Sequence, residues 1–328
     1  MRFYAVPGDV AMNKNGTIPV FAVCDREYFP FAVTAFLSVL GYTDRKIQFH
    51  IIHVSALPDQ ERRQADTLIA ASGGGKIIYT QLQTDHHYSS WTKRFPPLVF
   101  IRLLLPEMFP MYDRGIYLDS DILVERDIGE LFDLPMGDRI IGAVPEKYWK
   151  KSYELNVPLD KHFQGMGIKD YYRKAGFLPE NQYYNSGVLL LDMKKAREAG
   201  VGDTVRQHAG EDLLYPDQDL LNFYLHDKIF ELDGSWNNAL HPEEIPSGQI
   251  LHYIDKPWRN SSANAIRSHY WQALRKTPWF YRARAELILY EIEASVNSIW
   301  RDPKDNVLTA FLKLGIEFAA ALIRRAVK

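Results

Sequence analysis

The stretch Gly115-Ile116-Tyr117-Leu118-Asp119-Ser120-Asp121-Ile122-Leu123-Val124 decides how the rest of the chain is read. Its apolar residues make a buried strand, and two carboxylates arrive where that strand ends. Ligands of open α/β sheets bind outside the carboxyl ends of the strands, so both acids are expected to face a cleft. Strand alternation would put Asp119 and Asp121 on the same side. Two carboxylates that close repel each other, and a bound cation relieves the repulsion. Mg²⁺ or Mn²⁺ suits such hard oxygen ligands and keeps coordination positions for phosphates. Taken alone, Asp-Ser-Asp is equally good chemistry for a solvated turn.

Working outward, short β-type runs alternate with helical segments. Ile18–Val23 precedes Phe31–Leu40, and Ile47–Val54 precedes Pro58–Ala71, which Gly73, Gly74 and Gly75 stop. Lys76–Leu82 resumes as a strand, and a helix over Leu98–Met108 leads into Gly115–Leu118. Further strand-like runs lie at Arg139–Val144, Gly187–Leu191 and Ile250–Ile254. This alternation predicts an α/β fold, doubly wound, with a mostly parallel sheet flanked by helices. The boundaries expected are a main domain over residues 1–260 and a helical, aromatic and basic C-terminal region over 261–328. Lys147 to Asn181, rich in Tyr, Lys and Gly without a clear period, reads as an insertion of loops or short helices over a site.

Composition excludes little. The chain has 328 residues and a formal net charge of −2, which gives no global attraction to nucleic acid. Its single cysteine, Cys24, rules out an internal disulfide and suits a reducing compartment. The first 15 residues do not read as a signal peptide or anchor, so a cytoplasmic location is expected.

Four more segments share the strand-end pattern. Phe21-Ala-Val-Cys-Asp25-Arg-Glu27-Tyr28 closes the first strand with an acid. Tyr183-Tyr-Asn185-Ser-Gly187 precedes a buried strand, and Tyr215-Pro-Asp217-Gln218-Asp219-Leu-Leu-Asn222 opens a helix. Gln249-Ile-Leu-His252-Tyr-Ile-Asp-Lys256-Pro-Trp258 ends a strand with an imidazole and then a cation.

In order and spacing these segments resemble glycosyltransferase family 8, over about residues 18 to 258. The likeness is strongest to its bacterial lipopolysaccharide galactosyl- and glucosyltransferases, with glycogenin a more distant relative. The resemblance implies a GT-A fold and retaining transfer of a hexose, glucose or galactose, from a UDP-sugar to a saccharide or glycolipid. By the same resemblance Asp119, Asp121 and His252 would hold Mn²⁺ (or Mg²⁺), with Ser120 between the two acids at the donor. Asp25 matches an acid that contacts uracil, and Arg102 matches a basic residue near the donor phosphates. Asn185, Asp217 and Gln218 match the donor-sugar pocket, and Lys256 matches a lysine that pairs with the leaving phosphate. The chain departs from the family pattern at three places. No glycine lies between His252 and Lys256, Glu146 stands where an aspartate is common, and Glu27 replaces an amide.

Each residue also has a plainer role. His252 could be a core histidine, and Arg102 a helix cap or a surface partner of Glu107. Asp217 and Asp219 are favoured at a helix start without further function. Asp85, His86 and His87 read as solvated loop. At the C-terminus, Lys313, Glu317, Arg324 and Lys328 oppose Leu308, Phe311, Leu312, Ala319, Leu322 and Ile323 on a helical wheel. That face is expected either to pack on the domain or to attach peripherally to the inner face of an anionic membrane. Rival functions are a self-glycosylating primer, a non-catalytic sugar-nucleotide sensor and a phosphatase of the haloacid dehalogenase type.

Overall fold

The computed structural model describes residues 16–82, 97–177, 182–239, 247–254, 256, 258 and 265–300. They fall into two compact units, one running to Ala239 and rejoined by Ser247–His252, the other running onward from Tyr253.

In the first unit the β-branched and aromatic runs form the strands expected of them. β1 (Thr17–Cys24), α1 (Phe29–Val39), β2 (Lys46–His53), α2 (Asp59–Ala71) and β3 (Ile78–Gln81) make two consecutive βα crossovers. Pro58 enters α2, and Gly73 ends it at φ 84, a left-handed conformation that side chains resist. A 3-10 turn at Pro97–Phe100 leads into α3 (Ile101–Met108), β4 (Arg114–Leu118), β5 (Ile122–Val124), α4 (Ile128–Phe132) and β6 (Ile141–Pro145). After α5 (Trp149–Glu154) and α6 (Ile168–Lys174) come β7 (Tyr184–Asp192), α7 (Met193–Glu198), α8 (Val201–His208) and α9 (Pro216–Tyr224). The short strands β8 (Ile229–Glu231), β9 (Asn238–Ala239) and β10 (Ile250–His252) close the unit.

Seven strands join in the order β3-β2-β1-β4-β7-β6-β8. β7 alone runs antiparallel to its neighbours β4 and β6, so the sheet is mixed but mostly parallel. Phe21, Ile52, Leu104, Tyr117, Leu189 and Leu221 sit in one buried cluster where helices cover it. A smaller sheet has the order β5-β10-β9, and Ser38 Oγ of α1 ties to it by accepting the Val124 N–H at 2.8 Å. β10 ends at His252, two residues before the expected limit, in register with Ile122, the first residue of β5.

The expected insertion is built of short helices. Trp149, Phe163, Tyr171, Tyr172, Phe177 and Tyr183 form their own buried cluster there. Rings spaced irregularly in sequence meet in space, so no single period is visible in the chain.

The second unit contains α10 (Ala265–Leu274) and α11 (Phe280–Trp300). Tyr253 and Trp258 pack on Tyr270, and the Tyr253 hydroxyl meets His269 Nδ1 at 2.8 Å. Arg284 lies over the Trp271 ring at 5.1 Å. Among the described residues no helix is long and apolar enough to cross a membrane. Asp85, His86 and His87 and the wheel from Leu308 to Lys328 lie outside the described residues.

Candidate active site

Asp119 and Asp121 are brought together by a turn, not by strand alternation. β4 ends at Leu118, the Asp119 N–H donates to the Gly187 carbonyl at 2.8 Å, and the chain turns through Ser120 and Asp121 into β5 of the other sheet. The turn thus gathers the two acids where strand alternation was expected to do so. Because β10 lies antiparallel to β5, with His252 opposite Ile122, an imidazole arrives at the same corner.

His252 Nε2 stands 3.3 Å from Asp121 Oδ1 and 4.0 Å from Asp119 Oδ2. One ligand atom from each of the three residues lies within 4.8 Å of the others. Two carboxylates and one imidazole suit a borderline-hard divalent ion, and the set leaves positions open for substrate oxygens. Burial works against the charged imidazole, but Asp121 and Asp119 outweigh it and raise its pKa. Burial likewise raises the Asp119 carboxyl, against the pull of Arg102.

Arg102, on α3, sits inside this corner. It pairs with Asp119 at 3.0 Å and with Asp217 at 3.1 Å, and its Nη1 donates to the Ser186 carbonyl at 2.9 Å. Its guanidinium lies over the Tyr117 ring at 4.6 Å, and the Tyr117 hydroxyl donates to Asp119 Oδ1 at 2.6 Å. Glu107 takes a different partner, Arg206, so the surface pairing considered for Arg102 is not formed.

α9 delivers Asp217 and Gln218 from its first turn. Asp217 Oδ2 accepts the Ser186 hydroxyl at 2.7 Å, and Gln218 Oε1 accepts the Ser186 N–H at 3.1 Å. Asn222, one helical turn on, accepts the Tyr184 N–H and donates to its carbonyl, which fixes α9 against β7. Asn185 donates to Glu146 Oε2 at 2.6 Å. Ser120 is buried between the two acids. Asp25 directly follows β1, which lies beside β4, and its Oδ1 accepts the Tyr28 N–H at 2.9 Å just before α1. Lys256 belongs to the second unit, where its backbone is left-handed at φ 47 and its N–H donates to the Tyr253 carbonyl.

A cavity of about 520 Å³ opens beside Glu146 and Asn185. Its wall includes Lys147, Glu231, Asp233, Asn238 and Gln249. Sequence reasoning missed Asn237, which also lines it and which binds His252 Nδ1 through Oδ1 at 2.9 Å. Ser-Trp-Asn-Asn reads as turn chemistry, and only the fold brings that turn to β10. Ser186 and Tyr117 stand within the motifs, but their bonds to Asp217 and Asp119 have no signature in the chain.

A mixed sheet with acids and an imidazole gathered at strand ends is the layout of GT-A sugar transferases. Residues 19–262 match the description Glycosyl transferase family 8, and the chain belongs to that family. General stress protein A of Bacillus subtilis (strain 168) is 23% identical over 82% of this chain and 96% of its own length. Glycosyltransferase GlyF of Streptococcus pneumoniae is 25% identical over 77% of this chain, which spans only 60% of GlyF. Among solved structures, the galactosyltransferase LgtC, in complex with donor and acceptor sugar analogs, superposes with a TM-score of 0.63. It is 20% identical over 80% of this chain and 96% of its own. The bifunctional glycosyltransferase WbbM superposes at 0.68, with 17% identity over 86% of this chain and 53% of its own. Family membership sets the phosphatase reading aside.

Proposed function

We propose that the chain is a metal-dependent, retaining hexosyltransferase that moves glucose or galactose from a UDP-sugar to a hydroxyl of a saccharide or glycolipid. The observation that carries this reading is the convergence of Asp119, Asp121 and His252 at the junction of two sheets. Mn²⁺ suits that donor set best, with Mg²⁺ the alternative. A divalent ion held by these three residues would supply Lewis-acid charge at the departing phosphate. Asp25 is assigned to the uracil, and Ser120 to the donor between the two acids. Glu146, Asn185, Asp217 and Gln218 supply hydrogen-bond partners for donor hydroxyls. Arg102 holds Asp119 and Asp217 in place, and Lys256 keeps the phosphate-pairing role that the family resemblance implies.

Retention is assigned to front-face attack, with the leaving phosphate oxygen accepting the acceptor's proton. Gln218 is a poor nucleophile, and the Asp217 carboxylate is tied down through Oδ2 by Arg102 and Ser186. A glycosyl adduct trapped on Asp217 or Gln218 and seen by mass spectrometry would overturn this route.

The cavity beside Glu146 is assigned to the transferred hexose and the acceptor together, since the donor residues Glu146 and Asn185 line it. Its volume suits a small-molecule site, and its carboxylates and amides favour a hydroxyl-rich saccharide over an anionic one. A role in cell-surface polysaccharide or lipopolysaccharide synthesis, at the cytoplasmic side, fits such an acceptor. The exposed Tyr281 and Ile288 of α11, with Arg284 on the same helical face, support peripheral membrane contact. Flotation with anionic liposomes that is unchanged by deleting residues 300–328 and by Tyr281→Ser would refute that contact.

The deciding experiment incubates the purified protein with Mn²⁺ and a panel of UDP-, GDP- and CMP-sugars and follows nucleotide release. UDP release from UDP-glucose or UDP-galactose, abolished by EDTA, is the expected result. Silence across the panel, with no metal-dependent UDP binding by calorimetry, would overturn the reading. An intact-mass gain of hexose on the protein itself would favour the self-glycosylating primer instead.

A further inference from the structure

We propose that Asn237 is a positioning residue that dictates which nitrogen of His252 faces Asp119 and Asp121. The inference rests on the reading of His252 as a metal ligand and concerns how the chain prepares it.

A line of side chains runs Glu146, Asn185, Asn237, His252. Asn185 Nδ2 donates to Glu146 Oε2 at 2.6 Å, and Asn237 Nδ2 donates to Asn185 Oδ1 at 2.7 Å. Asn237 Oδ1 then meets His252 Nδ1 at 2.9 Å. An amide can usually be turned over, with oxygen and nitrogen exchanged. Here one end of the line is fixed. The Gly187 backbone N–H, which can only donate, points at the Asn185 side-chain amide from 2.8 Å, so that atom is oxygen. The carboxylate of Glu146 on the other side of Asn185 demands the same orientation.

With Asn185 fixed, Asn237 must turn its NH₂ toward Asn185 and its oxygen toward the imidazole. An imidazole that gives its Nε2 lone pair to an ion held with the two carboxylates therefore carries its proton on Nδ1, where Asn237 accepts it. Metal-binding imidazoles generally have their other ring nitrogen held in this manner, which fixes tautomer and ring orientation. Asn237 and His252 are 4% and 6% exposed, so water does not readily replace the link. The backbone of Asn237 is engaged separately, its N–H donating to the Gly234 carbonyl and closing the 3-10 turn at Gly234–Trp236. A side-chain substitution leaves that bond available.

The test uses the full chain with ¹⁵N-labelled histidine rings and saturating Mg²⁺, which is diamagnetic, together with Mn²⁺ titration by calorimetry. The parent should show the Nδ1–H tautomer at His252. Asn237→Leu should mix or reverse the tautomers and weaken Mn²⁺ binding by about 10- to 100-fold. Asn237→Asp, which keeps an oxygen at Nδ1 but sets a carboxylate against Asn185 Oδ1 in place of a donor, should restore the tautomer. If Asn237→Leu does not fold, Asn237→Ala gives the same test. An unchanged tautomer together with parental affinity in the Leu or Ala variant overturns the proposal. His252→Ala separates the two readings. If that variant binds Mn²⁺ like the parent, the metal assignment has failed, and the tautomer measurement alone judges Asn237.

Discussion

The chain contains two Asp-x-Asp pairs at strategic places, Asp119-Ser120-Asp121 and Asp217-Gln218-Asp219, and they do opposite things. The first lies in a turn between two sheets, and both carboxylates approach one imidazole. The second lies in the first turn of α9, where residues two apart point to nearly opposite sides at about 100° per residue. Asp217 turns to Arg102 and Ser186. Asp219 turns into the aromatic insertion and accepts the hydroxyls of Tyr171 and Tyr183, both at 2.6 Å, and the Tyr215 N–H at 2.9 Å. The backbone under an acidic pair thus decides whether its charges gather for a ligand or are divided among packing partners.

Arg102 is bonded to one acid of each pair, so its removal is the most severe way to break the comparison. Arg102→Met leaves Asp119 and Asp217 without their shared counter-charge. Urea unfolding should show a loss of about 3–5 kcal/mol. A loss under about 1 kcal/mol would mean that water already serves both acids.

The next effect separates the pairs by chemistry. Asp121→Asn should reduce metal-dependent UDP release by about 10²- to 10³-fold, the scale seen when one electrostatic contributor is removed from a site. Asp219→Asn should leave Mn²⁺ affinity within a few-fold of the parent. Equal losses in both variants would show that the second pair serves the first directly.

Asp219 should announce itself in the pH dependence of stability. Burial raises its pKa from 3.8 to about 6, although Tyr171 and Tyr183 pull it back. Between those values the folded state binds more proton than the unfolded state. The stabilisation is complete below the unfolded pKa and is lost as pH rises through about 6, a change of about 3 kcal/mol. Unfolding curves for the parent and Asp219→Asn should therefore diverge across that window and run parallel above it. Parallel curves throughout would mean that Asp219 titrates as an ordinary surface acid.

The contrast also explains what the sequence could and could not disclose. The strands β1 and β4 were legible because apolar runs stop at Asp25 and Asp119, and the ends of parallel strands are where ligands gather. Gly73 at its positive φ made the end of α2 equally plain. The convergence of Asp119 and Asp121 was foreseen for the wrong reason, since strand alternation stood in for a turn. Asn237 was hidden because its importance depends on β9 pairing with β10, a contact between segments whose intervening residues carry no periodic signal. The anchoring of Asp219 was hidden for a similar reason: the tyrosines that bind it lie 36 and 48 positions away.

Gly187 offers the smallest of these effects and the finest probe of the corner. It sits in β7 opposite the Asp-Ser-Asp turn, and a Cβ there would lie 2.4 Å from His252 Cε1 and 2.9 Å from His252 Nδ1. The imidazole is thus in contact with a backbone that carries no side chain, and Gly187→Ala must push the ring or bend the strand. Either response moves Nε2 relative to Asp121 while leaving every ligand and every charge in place. A displacement of about an ångström suffices to cost on the order of tenfold or more in a positioned reaction. We therefore expect Gly187→Ala to weaken Mn²⁺ binding and UDP release together by about tenfold. Gly210, where an added Cβ meets nothing within 4 Å, is the control, and Gly210→Ala should match the parent. If the Gly187 variant bound Mn²⁺ as the parent does, the first pair would not need its imidazole at this position, and the two Asp-x-Asp pairs would differ only in how well their carboxylates are neutralised.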